Sequence, residues 1–256
     1  MLNEKDREHI KKIKEYNKLL NPIEQIGFSS ICGLDDLVVE IAPTQFGSWN
    51  PDMKLPDASS YQSLFYGTSY NLFSNKEEWS NHLKLVDSIA QNNSCPYLVL
   101  GSPSSRSFTD PVWNQIKNDL KMAEYYLAAV LNKQDNQTLI GLEANPEIYN
   151  CNVCTDAYST INVVLLCREF GNENVFFHLD SGCLRANGEI PNSLMMSNLD
   201  IIRRIHISEP NLAPYSGGEG ELIKNAIDNK IGISLEQKPT TEGGWSHFLQ
   251  QVASCL

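Results

Sequence analysis

The chain has 256 residues, of which 41% are apolar and 20% charged, and it carries a formal net charge of −11. This composition is typical of a folded globular protein, and the acidic balance argues against nucleic acid as a partner, because phosphate contacts require clustered Lys and Arg. The first residues lack the apolar core of a signal peptide, and no apolar run is long enough to span a membrane. The number of cysteines, seven, is odd and does not suggest a disulfide framework. We therefore expect a cytoplasmic protein.

Strand and helix patterns alternate along the whole chain, with no linker and no low-complexity tract. An amphipathic charged helix is predicted over residues 4–20, with no strand before it. Most of the apolar runs that follow are nearly continuous, which is typical of parallel strands covered on both faces. These predicted strands are residues 37–42, 63–66, 97–100, 138–142, 175–179, 201–207 and 231–235.

Helices are predicted between these strands, among them one that begins at Asp110-Pro111 and another over residues 155–170. Repeated strand–helix units predict either an open doubly wound sheet or a closed TIM (β/α)₈-type barrel. In both cases we expect one domain over residues 1–256. The dinucleotide-binding open sheet is disfavoured because no G-x-G-x-x-G follows the early strands. A barrel needs eight strands and only seven are clear, so the first strand is predicted to be missing, displaced or atypical. Residues 25–32 are a weak extra candidate, too close to residue 37 for a helix to intervene.

At the ends of the last four predicted strands lie residue types that commonly bind metals. Glu143, Asp180, His206 and Glu236 each occupy the same place in consecutive strand–helix units. Parallel strands deliver their carboxyl ends to one face, where three acids would repel one another unless a cation lay between them. A single acid at a strand end is more often a helix cap, and a single histidine is more often a core residue. Four in consecutive units instead favour one divalent metal, Mn²⁺ or Mg²⁺, with Co²⁺ and Zn²⁺ as alternatives.

Six stretches around these positions resemble one superfamily. The chain is similar to the xylose isomerase-like TIM barrels, a group of sugar isomerases and epimerases that also contains the apurinic endonucleases. The stretches that carry the resemblance are residues 39–44, 99–103, 142–146, 178–182, 206–210 and 234–239.

The resemblance implies a metal held by Glu143, Asp180, His206 and Glu236. It also implies a reaction through an enediolate, in which the metal polarises a ketose and two glutamates, Glu143 and Glu236, move the proton on opposite sides of the substrate carbon. One departure is Cys183, which stands where the family often has a second histidine.

Further residues near the predicted strand ends are candidates for substrate binding, although ordinary surface charge or core packing explains several of them equally well. These are Arg106, Asn145, His178, Glu209 and Lys238. The pair Cys151 and Cys154 has redox or zinc spacing, but no second pair exists, so we interpret it as coincidental.

The sequence therefore predicts a metal-dependent isomerase or epimerase acting on a sugar, a sugar phosphate or a small hydroxy-ketone. A sugar dehydratase on the same scaffold and a non-catalytic barrel are the alternatives. An apurinic endonuclease is disfavoured, because it needs more histidines at the strand ends. No nucleic acid or membrane partner is expected, and a homo-oligomer stays open.

Overall fold

The computed structural model describes residues 2–42, 49–108, 119–134, 136–239 and 244–256. Eight strands form a closed barrel in chain order, which confirms the predicted TIM-barrel class. The strands are β1 (Ile26–Ser29), β2 (Val38–Ile41), β3 (Ser60–Tyr61), β4 (Tyr97–Leu100), β5 (Leu139–Glu143), β6 (Val175–Asp180), β7 (Ile202–Ser208) and β8 (Gly232–Glu236).

Helices occupy most of the connections between the strands. In the described part of the chain they are α1 (Glu4–Asn17), α2 (Lys76–Asn92), α3 (Leu120–Asn132), α4 (Ala157–Glu169), α5 (Ser181–Ala186), α6 (Pro191–Ser197), α7 (Gly220–Asp228) and α8 (Gly244–Cys255). The predicted helix start at Asp110-Pro111 lies outside the described residues. None of the described helices combines the length and hydropathy that crossing a bilayer requires.

The first strand is present, so the expectation that it is missing is wrong. β1 is buried along its whole length and pairs in parallel with both β2 and β8. Gly27 permits this pairing, because a Cβ at that position would lie 2.2 Å from the carbonyl oxygen of Leu37. The connection from β1 to β2 contains only a short 3₁₀ turn, Ser30–Cys32, which is the atypical feature that the spacing indicated.

The third strand lies earlier than predicted. β3 is Ser60–Tyr61, and Tyr61 pairs with Leu98 of β4. Residues 63–66 instead form a turn, closed by a hydrogen bond of 2.9 Å from the Tyr66 N–H to the Ser63 carbonyl. Of the two aromatic residues in this turn, Phe65 is buried and Tyr66 is exposed.

Contacts divide the chain into two compact units, and the prediction of a single domain stays a prediction. The first unit comprises residues 1–42, 58–60 and 178–256, and the second comprises residues 43–57 and 61–177. In the first unit, Phe28 of β1 contacts Phe248 of α8 with ring centroids 5.7 Å apart. In the second unit, Phe65 stacks on Trp79 of α2 with centroids 5.0 Å apart. Each unit thus buries its own set of apolar side chains.

Candidate metal centre

Three predicted metal ligands converge in the first unit. Asp180 and Glu236 are the last residues of β6 and β8, and His206 lies two residues before the end of β7. All three are buried, and one ligand atom from each lies within 4.8 Å of the other two. Buried carboxylates beside an imidazole are costly unless a positive charge compensates them. The cluster therefore has the composition and spacing of a cation site.

The imidazole of His206 faces both acids through one nitrogen. Its Nδ1 lies 3.2 Å from Oε2 of Glu236 and 3.6 Å from Oδ2 of Asp180. Donor atoms separated in this way can share one ion at about 2.0–2.2 Å from each, the usual length of a bond from zinc to nitrogen or oxygen. An N,O,O donor set suits Mn²⁺, Co²⁺ or Zn²⁺, so the residues present fit the predicted metal.

Asp180 is held in place by two hydrogen bonds to its other carboxylate oxygen. Oδ1 accepts the backbone N–H of Cys183 at 2.6 Å, which caps α5, and the hydroxyl of Ser208 at 2.8 Å. Burial acts to raise the pKa of Asp180, but contacts with His206 and these two hydrogen bonds outweigh it, and the pKa lies below its ordinary value. The carboxylate is therefore ionised and oriented before any ligand arrives.

Glu40 on β2 is part of this cluster and was not among the predicted site residues. It is fully buried, and its Oε1 and Oε2 lie 2.9 and 3.0 Å from Nε2 of His206. Burial acts to raise the pKa of Glu40, but His206, Arg204 and the Ser60 hydroxyl together hold it below its ordinary value. A charged residue inside an apolar strand was the signal in the sequence that could have identified it.

His178 lies one layer deeper in β6. Its ring packs edge-on against His206 with centroids 4.2 Å apart, and it is fully buried. Burial, followed by the nearby charges of His206 and Arg204, holds the pKa of His178 well below its ordinary value. His178 is therefore uncharged at neutral pH and packs against the ring of His206. Its predicted role in substrate binding stays a prediction.

The other predicted ligand, Glu143, lies in the second unit as the last residue of β5. It is buried, and its Oε2 accepts a hydrogen bond of 2.7 Å from Nδ2 of Asn145. Gly101, after β4, leaves room for the carboxylate, since a Cβ there would lie 2.2 Å from Oε2 of Glu143. The side chain is thus held by a neighbouring amide and a neighbouring glycine.

Arg106 secures the backbone around Glu143. It is fully buried, its Nε donates to the Gly101 carbonyl at 3.1 Å, and its Nη2 donates to the Glu143 carbonyl at 3.0 Å. Nη1 donates to the Val153 carbonyl at 3.1 Å, and Nη2 also contacts the side-chain oxygen of Asn145. All three guanidinium nitrogens contact protein oxygens, so Arg106 has a structural role, and its predicted role in substrate binding stays a prediction.

The remaining substrate-binding candidates lie in the first unit. Glu209 accepts from Nη2 of Arg185 at 2.6 Å and from the Ser216 hydroxyl at 2.6 Å. The same arginine contacts Glu219 at 3.1 Å. Lys238, after β8, is exposed. These contacts do not test the predicted roles of Glu209 and Lys238 in substrate binding.

None of the seven cysteines, all of which lie in the described residues, forms a disulfide. Cys151 and Cys154 are buried, and burial raises the pKa of Cys154 to about 12, so its thiol is protonated at neutral pH. Cys32, whose thiol donates to the Leu235 carbonyl at 3.2 Å, has its pKa raised to about 12 by burial as well. Cys183 is half-buried and contributes its backbone N–H to Asp180. The thiols of Cys154 and Cys32 therefore have the protonated form that structural cysteines adopt.

No protein-family model and no curated protein matches the chain by sequence. Solved structures do match its fold. A D-tagatose 3-epimerase-like protein has a TM-score of 0.64 at 12% identity, over 90% of this chain and 97% of that one. The chain has the fold of the sugar isomerase and epimerase barrels.

Two further structures share this barrel. A family 2 AP endonuclease from Brucella melitensis has a TM-score of 0.58 at 12% identity, over 83% of this chain and 88% of that one. An IOLI protein with a bound zinc atom has a TM-score of 0.56 at 15% identity, over 90% of this chain and 99% of that one. At these identities the likeness establishes the barrel, and the function must be argued from the site.

Proposed function

We propose that the chain is a metal-dependent sugar isomerase or epimerase. The observation that carries the proposal is the buried cluster of Asp180, His206 and Glu236 at the carboxyl ends of three strands. Active sites of (β/α)₈ barrels are built at this face. The zinc atom in the IOLI protein and the sugar substrate in the name of the epimerase-like neighbour support the same chemistry.

Glu143 is proposed as the fourth ligand. It is the last residue of β5, the place that Asp180 and Glu236 occupy on β6 and β8, and a closed barrel delivers its strand ends to one face. The metal would be Mn²⁺ or Mg²⁺, with Co²⁺ and Zn²⁺ as alternatives. When bound, it supplies a positive charge that polarises the carbonyl of the substrate and makes the adjacent C–H more acidic.

Proton transfer is assigned to the two glutamates. One of Glu143 and Glu236 removes the proton from the carbon next to the carbonyl, leaving an enediolate, and the other returns it on the opposite side. Asp180 and His206 hold their positions throughout, because hydrogen bonds from protein groups fix both side chains. We propose a small ketose, a sugar phosphate or another hydroxy-ketone as the substrate, a cytoplasmic location, and no partner of nucleic acid or membrane.

The test combines metal content with hydrogen exchange. Purified protein is analysed for bound metal, and a panel of ketoses is incubated with it in D₂O while NMR follows exchange at the carbon next to the carbonyl. We expect about one equivalent of metal. We also expect exchange to be lost, by about 10²–10⁴-fold, in Glu143→Gln and in Glu236→Gln.

Glu124→Gln is the matched control, since Glu124 is a buried glutamate of α3 whose Oε2 accepts a hydrogen bond of 2.6 Å from the side-chain amide of Asn162. Full exchange in either glutamate variant of the site would refute the mechanism. Loss of water from the sugar would identify a dehydratase instead, and nicking of abasic DNA would identify an endonuclease. Absence of bound metal after incubation with Mn²⁺ would favour a non-catalytic barrel.

A further inference from the structure

The two nitrogens of His206 face chemically different surroundings. Nδ1 faces the carboxylates of Glu236 and Asp180, at 3.2 and 3.6 Å. Nε2 faces Glu40, whose two oxygens lie at nearly equal distances of 2.9 and 3.0 Å. An ionised carboxylate only accepts hydrogen bonds, so a hydrogen bond with Glu40 requires a hydrogen on Nε2, and Nε2 makes the shorter contacts of the two nitrogens.

We propose that Glu40 is a positioning residue that fixes His206 in the Nε2–H tautomer and thereby reserves Nδ1 for the divalent metal. The proposal rests on the metal-binding part of the proposed function and adds a residue to it. Metal-binding histidines commonly donate their second N–H to a carboxylate, which orients the ring and makes the ligand nitrogen more basic. Glu40 supplies such a carboxylate, and it contacts Nε2 of His206.

Glu40 is itself held by the protein. The Ser60 hydroxyl donates to Oε2 of Glu40 at 2.8 Å, and Ser60 is the first residue of β3. Glu40 lies in the middle of β2, where its neighbours Val39 and Ile41 are buried apolar residues. A fully buried carboxylate is costly to maintain in such surroundings, and pairing with the imidazole and the hydroxyl compensates for that cost.

Glu40 is not another ligand of the same ion. The lone pairs of Nδ1 and Nε2 diverge within the plane of an imidazole ring, so an ion bound at Nδ1 lies away from the group that faces Nε2. The acids on the Nδ1 side are Asp180 and Glu236, each at the end of a strand, whereas Glu40 contacts the ring from the Nε2 side. The cluster is therefore divided into ligands on one side of His206 and a support on the other.

The first test compares Co²⁺ binding by the full chain and by Glu40→Gln, with Glu124→Gln, a buried glutamate of the second unit that contacts Asn162, as the control. We expect Co²⁺ to bind about 10–100-fold more weakly to Glu40→Gln, the loss typical of removing such a supporting carboxylate. We expect no change in the control. Affinity of Glu40→Gln within twofold of the unaltered protein, with its thermal unfolding unchanged, would overturn the proposal.

The second test needs no variant, so it stands even if Glu40→Gln fails to fold. Protein labelled with ¹⁵N in its histidine rings is loaded with ¹¹³Cd²⁺, and the coupling between cadmium and nitrogen is measured by NMR. Coupling to Nδ1 of His206, with the hydrogen on Nε2, is the expected result. Coupling to Nε2 would overturn the proposal.

The outcomes separate this proposal from the proposed function. Coupling at Nδ1 together with no exchange on any ketose would refute the isomerase and leave the role of Glu40 intact. Sugar exchange with unaltered Co²⁺ affinity in Glu40→Gln would refute the role of Glu40 and leave the isomerase intact. Failure of the unaltered protein to bind Co²⁺ or Cd²⁺ would refute both.

Discussion

Ser208 donates a hydrogen bond of 2.8 Å to Oδ1 of Asp180, and its Oγ also accepts the backbone N–H of Gly182 at 2.9 Å. β7 therefore supplies His206 and, two residues later, the hydroxyl that holds the aspartate of β6. The fit is tight, because a Cβ at Gly182 would lie 2.4 Å from Oγ of Ser208. The orientation of Asp180, a proposed metal ligand, thus depends on the strand that carries His206.

Ser208→Ala is expected to weaken both metal binding and folding. The variant leaves a buried N–H without this acceptor and frees Oδ1 of Asp180, so the free energy of unfolding should fall by about 1–3 kcal/mol. Co²⁺ affinity should fall severalfold, because Asp180 loses an orienting contact. Calorimetric titration and urea unfolding measure these quantities, with Ser254→Ala, at an exposed position of α8, as the control. Unchanged Co²⁺ affinity would show that Cys183 alone orients Asp180.

Gly101→Ala is expected to reduce activity while leaving the fold intact. The new Cβ would lie 2.2 Å from Oε2 of Glu143, at the end of a side chain that can rotate away. Displacing a catalytic group by about 1 Å can cost about 10²-fold in rate. Ketose exchange in D₂O gives the activity, and thermal unfolding gives the stability. Gly218→Ala is the control, since its nearest neighbour lies at an ordinary 3.8 Å; activity of Gly101→Ala equal to that of the control would argue against a role for Glu143.

Arg106→Lys is expected to destabilise the second unit. A lysine cannot reproduce the planar set of donors that contacts the carbonyls of Gly101, Val153 and Glu143. Leaving even one of these buried acceptors without a partner costs about 1–3 kcal/mol, so we expect a loss of stability of at least that size in urea unfolding. Arg7→Lys, on the exposed side of α1, is the control. Stability equal to that of the control, with a raised KM for the sugar, would instead favour substrate binding by Arg106.

Stability is expected to fall as the pH drops below about 6.5, the ordinary pKa of histidine. His82 contacts the Leu64 carbonyl through Nε2 at 2.8 Å, and burial holds its pKa below the ordinary value. The unfolded chain therefore takes up a proton more readily than the folded one as the pH falls through this range, so the contribution of His82 is complete above it and is lost below it.

The variant His82→Gln keeps an N–H for the Leu64 carbonyl and has no proton to gain. Its unfolding free energy, measured from pH 7.5 to pH 5, should fall less steeply than that of the unaltered protein. Some slope should remain, because burial lowers the pKa of His178 as well. An identical slope in the two proteins would show that His82 does not contribute.

Asp180, His206 and Glu236 were predictable from the sequence as a cluster because each stands at or near the carboxyl end of its own strand. A residue such as Asp180 needs only the rule that parallel strands share one catalytic face. Glu40 was missed because it lies in mid-strand, and its partner His206 is 166 residues away along the chain. β1 was uncertain because four residues give little periodicity, and its pairing depends on how closely Gly27 approaches the carbonyl of Leu37.

α1, which precedes β1 in the chain, packs against that strand. At its end, the amide of Asn17 pairs with the backbone of Ile26, donating to its carbonyl at 2.8 Å and accepting its N–H at 3.0 Å. Near its middle, Lys12 donates to the Ala253 carbonyl of α8 at 2.7 Å. The helix that contacts β1 thus precedes this strand in the chain, whereas in a regular strand–helix unit the helix follows its strand. An alignment that matches strand–helix pairs in chain order would therefore be shifted by one helix at this point.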